Sequence, residues 1–289
     1  MTVPAVSLIV PCCNEQDYIE SCIRSLLAQD LPVGSFEIIV ADGLSNDGTR
    51  NILARLAAEY TCLRLVDNPG RIVSTGLNTA IHAARSKIIV RIDVHTQYAP
   101  DYVRQCLAVL QETGTDNVGG PWVAQGTGYM GRAVAAAFQS PFAVGGARGH
   151  NPHHIGPVDT VYLGCWPREV FDRIGFFDEE LVRNQDDEFN LRLSRAGGLI
   201  WQSPRIKSWY HPCASLRSFW CCLQCLPAII SVMATAFSVA SGILSSYVVH
   251  QWAPCLPSRV RPENYQHKRR EVMPALFARV AHVLGEQHR

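Results

Sequence analysis

Four short apolar runs, each of the first three followed by a helical stripe, occupy the first hundred residues and restrict the chain to an α/β fold. Residues 6–10 form the first run, which stops at Pro11. Ile19, Cys22, Ile23, Leu26 and Leu27 then keep the i, i+3, i+4, i+7, i+8 spacing of an amphipathic helix, with Asn14 as its cap. Residues 36–41 predict a second strand, and Ile52, Leu53 and Leu56 mark the next helix, entered through Asp47-Gly48-Thr49. Residues 63–66 read as a third strand, Leu77, Ala80, Ile81 and Ala84 as a third helix, and residues 88–92 as a fourth strand. Alternation at this spacing implies parallel strands joined by crossover helices.

Ligands of such sheets bind beyond the carboxyl ends of the strands. Two strands here run directly into a carboxylate, EIIVA into Asp42 and KIIVRI into Asp93. One aspartate can simply open a turn; two at the same edge of one sheet point to a site. No G-x-G-x-x-G follows the first strand and no G-x-x-x-x-G-K-[ST] occurs anywhere, which disfavours a dinucleotide Rossmann domain and a P-loop NTPase. Lys plus Arg (26) against Asp plus Glu (25) leaves +1, so binding of nucleic acid through bulk charge is not expected.

Residues 117–164 are rich in glycine and histidine and read as loops around one short helix near 132–139. A helix pattern follows at 167–174, and residues 185–192 lead into a helix closed by Gly197-Gly198. Charged residues make up only 18% of the chain, against roughly 25% in an average soluble domain. The shortfall is local, because residues 218–258 contain no Asp, Glu, Lys or Arg. The eleven cysteines have no fixed spacing and the N-terminus has no basic, apolar leader pattern. Reduced thiols in a cytosolic compartment are therefore expected rather than a disulfide framework. Cys222 and Cys225 have C-x-x-C spacing but no second pair answers them, so apolar packing is preferred over zinc or redox chemistry.

Taken in order, PCCNE (11–15), ADGLSNDGT (41–49), RIDVHT (91–96) and QDDE (185–188) resemble the family 2 inverting glycosyltransferases. The stretches NPGRIVSTGLN, DNVGGP and VDTVYLG bring the chain closest in appearance to bacterial glucosyltransferases of succinoglycan-type exopolysaccharide synthesis. The resemblance implies a GT-A, Rossmann-like nucleotide-sugar domain over residues 1–216, with a mixed, mainly parallel sheet. It implies transfer of a sugar, glucose by this likeness, from a UDP-sugar to a hydroxyl of a lipid-linked or saccharide acceptor.

Site residues follow from the same motifs. Asp42 is suited to accept hydrogen bonds from uracil or ribose, with Pro11, Asn14 and Glu15 walling the pocket; a helix cap and a first-turn acid are the plain alternatives for the last two. Asp93 and His95 stand where the family more often has D-x-D. In an extended segment they point to one side, and with imidazole as a ligand Mn²⁺ is favoured over Mg²⁺. His211 is a third ligand by likeness to related polypeptide N-acetylgalactosaminyltransferases, or else a packed histidine. Asp186 falls on the family's catalytic carboxylate at a helix N-terminus; adjacent Asp187 is the rival, and Gln185 replaces a further acid. Arg71 and Arg148 are candidates for phosphate or acceptor contact, Asp159-Thr160 for the acceptor. His150, His153 and His154 read as a polar loop rather than a metal site.

Residues 217–258 are expected to associate with membrane, and residues 259–289 to form a basic, helical tail. The uncharged run is about twice the ~20 residues that span a bilayer. A single span would put the basic tail opposite a cytosolic catalytic domain, against the positive-inside rule. A re-entrant or interfacial segment at the cytoplasmic face is preferred; an altered or shortened C-terminus is the alternative. Competing functions are a sugar nucleotidyltransferase, disfavoured by the missing glycine-rich basic loop, and a non-catalytic nucleotide-sugar- or carbohydrate-binding module.

Overall fold

The apolar runs become the centre of one sheet. The computed structural model describes residues 3–32, 34–126, 132 and 151–210. The chain divides into two compact units, Met1–Ala214 and Ser215–Arg289, and every described residue belongs to the first. His211, Arg148, His150, the segments 217–258 and 259–289, and the helix expected near 132–139 (apart from Arg132) lie outside the described residues.

Strands β1 (Val6–Cys12), β2 (Phe36–Asp42), β3 (Leu63–Asp67) and β4 (Ile88–Arg91) alternate with helices α1 (Ile19–Leu27), α2 (Thr49–Glu59) and α3 (Val73–Ala83). They are parallel, in the order β3-β2-β1-β4. The register sets Cys12 beside Asp42 and Asp42 beside Asp67 at the carboxyl edge. Period-two alternation divides the side chains between two layers. Leu8, Val10, Ile38 and Val40 pack with α1, α2 and α4 (Tyr102–Thr113), whereas Ile9, Ile39 and Ile89 pack with α3 on the other face. Burial on both faces is what turns these strands into continuous apolar runs.

β1 extends past the expected stop at Pro11. Beyond Ile9 it pairs only with β2, because β4 reaches no further than Ser7–Ile9, so proline's missing donor is tolerated at this one-sided end. Conversely, the fourth strand ends at Arg91 instead of residue 92. Residues 117–164 are not all loop: β6 (Asn117–Gly120), β7 (Gly156–Pro157) and the start of β8 (Tyr162–Pro167) fall there. β8 is antiparallel to β4 and to β6, and β9 (Ile200–Gln202) is parallel to β6, so the eight-stranded sheet is mixed with a parallel half. A close approach limits one position: a Cβ on Gly120 would run into the Ile206 carbonyl oxygen. A small second sheet pairs β5 (Thr96–Tyr98) with β10 (Ser208–Tyr210).

The expected helix at 167–174 begins later, as α5 (Glu169–Ile174), because residues through Pro167 continue β8. α6 (Gln185–Arg195) ends as expected: Gly197 has φ +80°, and the Gly198 N–H donates to the Leu193 carbonyl at 3.0 Å. Phe189 and Leu193 of α6 are fully buried beside Trp166, Phe171 and Phe177, which anchors its N-terminal turn over the sheet edge. Among the described residues no helix is long and apolar enough to cross a membrane.

Candidate active site

A cleft of about 270 Å³ opens at the carboxyl edge of β1 and β4. Pro11, Cys12, Cys13 and Glu15 form one wall, Asn68 and residues 71–73 a second, and residues 91–95 its floor and far side. Pro11, Glu15, Arg71, Asp93 and His95, separated by up to 84 positions in the chain, are thus gathered into one cavity.

Asn14 is not a helix cap. α1 starts at Ile19, with Tyr18 in the cap position, and Asn14 adopts φ +58°. Its N–H donates to Ser45 Oγ (2.8 Å) and its Oδ1 accepts from the Asn46 N–H (2.9 Å). The Glu15 N–H donates to Thr49 Oγ1 (2.8 Å) and the Gln16 N–H to Asp47 Oδ2 (3.1 Å). The SNDGT segment therefore laces the loop carrying Glu15 to the loop after β2. Asp42 organises that second loop from inside. Only 1% exposed, it accepts from Ser45 Oγ (2.5 Å), the Ser45 N–H (3.1 Å) and Arg50 Nη1 (2.9 Å). It does not line the cleft.

Asp93, Val94 and His95 occupy a turn, not the extended segment expected from the sequence, because β4 has already ended. The turn is pinned at its start: Tyr98 Oη accepts from the Asp93 N–H (2.7 Å) and donates to the Asp93 carbonyl (3.0 Å). Asp93 Oδ1 accepts from the His95 N–H (2.8 Å). The His95 ring lies edge-on to Tyr18, with Nε2 3.1 Å from a Glu15 carboxylate oxygen. That hydrogen bond raises the His95 pKa, against the opposing effect of burial.

Among the described residues no three His, Cys, Asp or Glu side chains stand close enough together to hold a metal ion. The chemistry of the donor set nevertheless suits one. Asp93 and His95 line the cleft from a single turn, and a carboxylate with an imidazole fits Mn²⁺ better than Mg²⁺. Neutral His95 would ligate through Nδ1 while its Nε2–H donates to Glu15.

Asp186 and Asp187 lie in the first turn of α6, after Asn184 at φ +58°. Negative charge is favoured there by the helix dipole. Asp186 Oδ2 is 3.7 Å from Arg91 Nη1, and its other oxygen accepts from the Asp187 N–H at 3.2 Å. The Asp187 carboxyl is pushed up to about 6, first by loss of solvation, then by the like charge of Asp186, with Arg91 pulling it down. More than a third of Asp187 remains in contact with water, which softens the effect of burial, but the neighbouring charge acts in the same direction. Gln185 is buried, where a neutral side chain is cheaper than the acid it replaces. Among the described residues, three of the five non-glycine positions with positive φ (Asn14, Arg71 and Asn184) lie in the loops of this site, so backbone strain is concentrated there.

Other candidates have structural partners. Thr160 accepts from the Asn190 side chain (2.9 Å), and His154 Nε2 lies 3.3 Å from the Pro157 carbonyl. Arg91 is the residue that motif reading missed as an individual. Its only sequence signal is a charge at the end of an otherwise apolar strand.

Residues 7–156 match the family described as Glycosyl transferase family 2. The succinoglycan biosynthesis protein ExoA of Rhizobium meliloti is 33% identical over 225 residues, covering 74% of this chain and 65% of that protein. Among solved structures, the mannosyltransferase PcManGT from Pyrobaculum calidifontis in complex with GDP-Man and Mn²⁺ has a TM-score of 0.59 at 22% identity, over 75% of this chain and 59% of that one. S. aureus TarS in complex with UDP has a TM-score of 0.56 at 18% identity, over 74% of this chain and 62% of that one. The chain spans less than two thirds of each of these three. The likeness to the solved structures extends to the GT-A fold, whose mixed, mainly parallel sheet is the one described above. Motif order, sheet and sequence identity agree, and the chain belongs to glycosyl transferase family 2.

Proposed function

We propose that this chain is an inverting, metal-dependent glycosyltransferase of polysaccharide biosynthesis. In this reading it moves a sugar, glucose by likeness to the succinoglycan relative, from a UDP-sugar to a hydroxyl of a lipid-linked or saccharide acceptor. One observation carries it: the turn bearing Asp93 and His95 shares a cleft with Arg91, and Arg91 in turn reaches Asp186. A nucleotide-sugar pocket and a carboxylate pair are thereby within one side chain of each other. Two of the neighbouring structures hold GDP-Man with Mn²⁺ and UDP, which supports a nucleoside diphosphate in this cleft.

In the reaction the acceptor O–H gives its proton to a carboxylate oxygen of Asp186 while its oxygen bonds to the anomeric carbon from the face opposite the leaving group. The bond from that carbon to the diphosphate breaks, and UDP leaves with the electron pair. Asp187, whose carboxyl is pushed up to about 6, sets the charge beside the base near neutral pH. Pro11 and Glu15 wall the nucleotide side, together with the Asn14 loop that Asp42 holds in place. Asp93 and His95 would hold Mn²⁺ or Mg²⁺, which neutralises charge on the departing diphosphate. Residues 217–258 would keep the enzyme at the cytoplasmic face of the membrane, near a lipid-linked acceptor.

A screen of UDP-sugars with Mn²⁺ and Mg²⁺, following UDP release, tests the reading. Release of UDP dependent on Asp186 supports it. Release of pyrophosphate would indicate a nucleotidyltransferase, and binding without turnover a non-catalytic module.

A further inference from the structure

Arg91 is 8% exposed, and its Nε and Nη1 have no hydrogen-bond partner. Other arginines tied to the sheet and its flanking helices are differently placed. Arg50 reaches Asp42 and Asp67, Arg64 and Arg85 both reach Glu37, and Arg168 donates to three backbone carbonyls. The Asp186 oxygen at 3.7 Å is too far from Arg91 for a hydrogen bond. Asp186 and Asp187 supply charge nearby, but Nε and Nη1 are left without the hydrogen bonds that a buried guanidinium needs. Arg91 lines the cleft, and so does Arg71, held at φ +58° by its turn, with its N–H donating to the Asn68 carbonyl at 3.1 Å. Two arginines lining one cavity suit a ligand that carries more than one negative charge and several acceptor oxygens.

We propose that Arg91 is a substrate-binding residue whose guanidinium receives the diphosphate of a nucleoside diphosphate, in the cleft it shares with Arg71. The assignment rests on the glycosyltransferase reading and adds to it a phosphate contact made by the protein itself. Its place explains why an arginine ends an apolar strand: β4 delivers the charge to the floor of the cleft, and packing of the strand fixes where it points. Arg91 is thereby preorganised for the leaving group.

The test titrates the full-length chain with uridine, UMP and UDP by calorimetry, in chelator and again with Mg²⁺, and with the guanosine series in parallel. Arg91→Met should weaken UDP by about ten- to a hundredfold, the worth of a lost charged hydrogen-bonding group, and leave uridine unchanged. Arg91→Lys should recover part of the loss, since it restores charge without the planar fork. An equal loss for uridine and UDP, or UDP binding unchanged in Arg91→Met, overturns the assignment. If Arg91→Met does not fold, Arg91→Lys decides alone: a weaker UDP with unchanged uridine supports the proposal, and unchanged UDP overturns it. Wild-type protein that binds neither nucleotide series under either condition removes the glycosyltransferase reading and this proposal with it.

Discussion

Asp42→Asn separates a structural from a ligand-binding role for the aspartate at the end of β2. The carboxylate accepts from Arg50 at 2.9 Å and from Ser45 twice, and it is 1% exposed. Asparagine keeps the shape and one acceptor oxygen. Losing the charged contact to Arg50 costs about 1.5–3 kcal/mol before screening. Arg50 is 41% exposed, so the lower part of that range applies. The Ser45 N–H and Arg50 share one oxygen, so the amide keeps its carbonyl there and turns its NH₂ to the Ser45 hydroxyl, which accepts instead of donating. The cost is about 1.5 kcal/mol, against the 5–15 kcal/mol typical of a domain. It corresponds to a fall in Tm of about 3–6 °C at this domain size. Urea and thermal unfolding followed by tryptophan fluorescence and circular dichroism measure it. Nucleotide titration well below the transition then asks what remains of binding. A variant that melts with the wild type yet loses nucleotide would refute the reasoning, since Asp42 would then act on the ligand and not on the loop.

Asp186→Asn should lower turnover by about a hundredfold or more with donor binding intact; if Asp187→Asn is the inactive variant and Asp186→Asn turns over normally, the base is misassigned. The kcat/KM profile should change through an apparent pKa of about 6, where the raised Asp187 carboxyl loses its proton and the charge beside the base changes. Asp187→Asn should remove that limb, and a limb that stays in place would contradict the assignment. Asp93→Ala should abolish UDP release, and His95→Asp should shift preference from Mn²⁺ toward Mg²⁺; full activity in excess chelator would rule out the metal.

Local sequence was enough for β1 to β4 and their crossover helices, because burial on two faces writes an apolar run and burial on one face writes a 3.6-residue stripe. α6 was legible for the same reason, with Gly197-Gly198 as its stop. The four motifs were readable because each is a contiguous string at the end of such an element. Strands β6, β7, β9 and β10 have only two to four residues each, too short for any period to appear, and their pairing depends on partners up to 114 positions away. Asn14 looked like a cap because its residue type is right for one, but its hydrogen bonds go to Ser45 and Asn46, which only the adjacency of β1 and β2 brings within reach. Asp42 looked free for a ligand because a sequence cannot show that Arg50 folds back one helical turn to meet it. Arg91 shows the same limit from the other side: its residue type was visible, but that its Nε and Nη1 would be buried without a hydrogen-bond partner, 3.7 Å from an acid 95 positions later, follows from how α6 packs near β4. Periodicity and motif are properties of neighbours in the chain. Burial, pairing and charge compensation belong to neighbours in space.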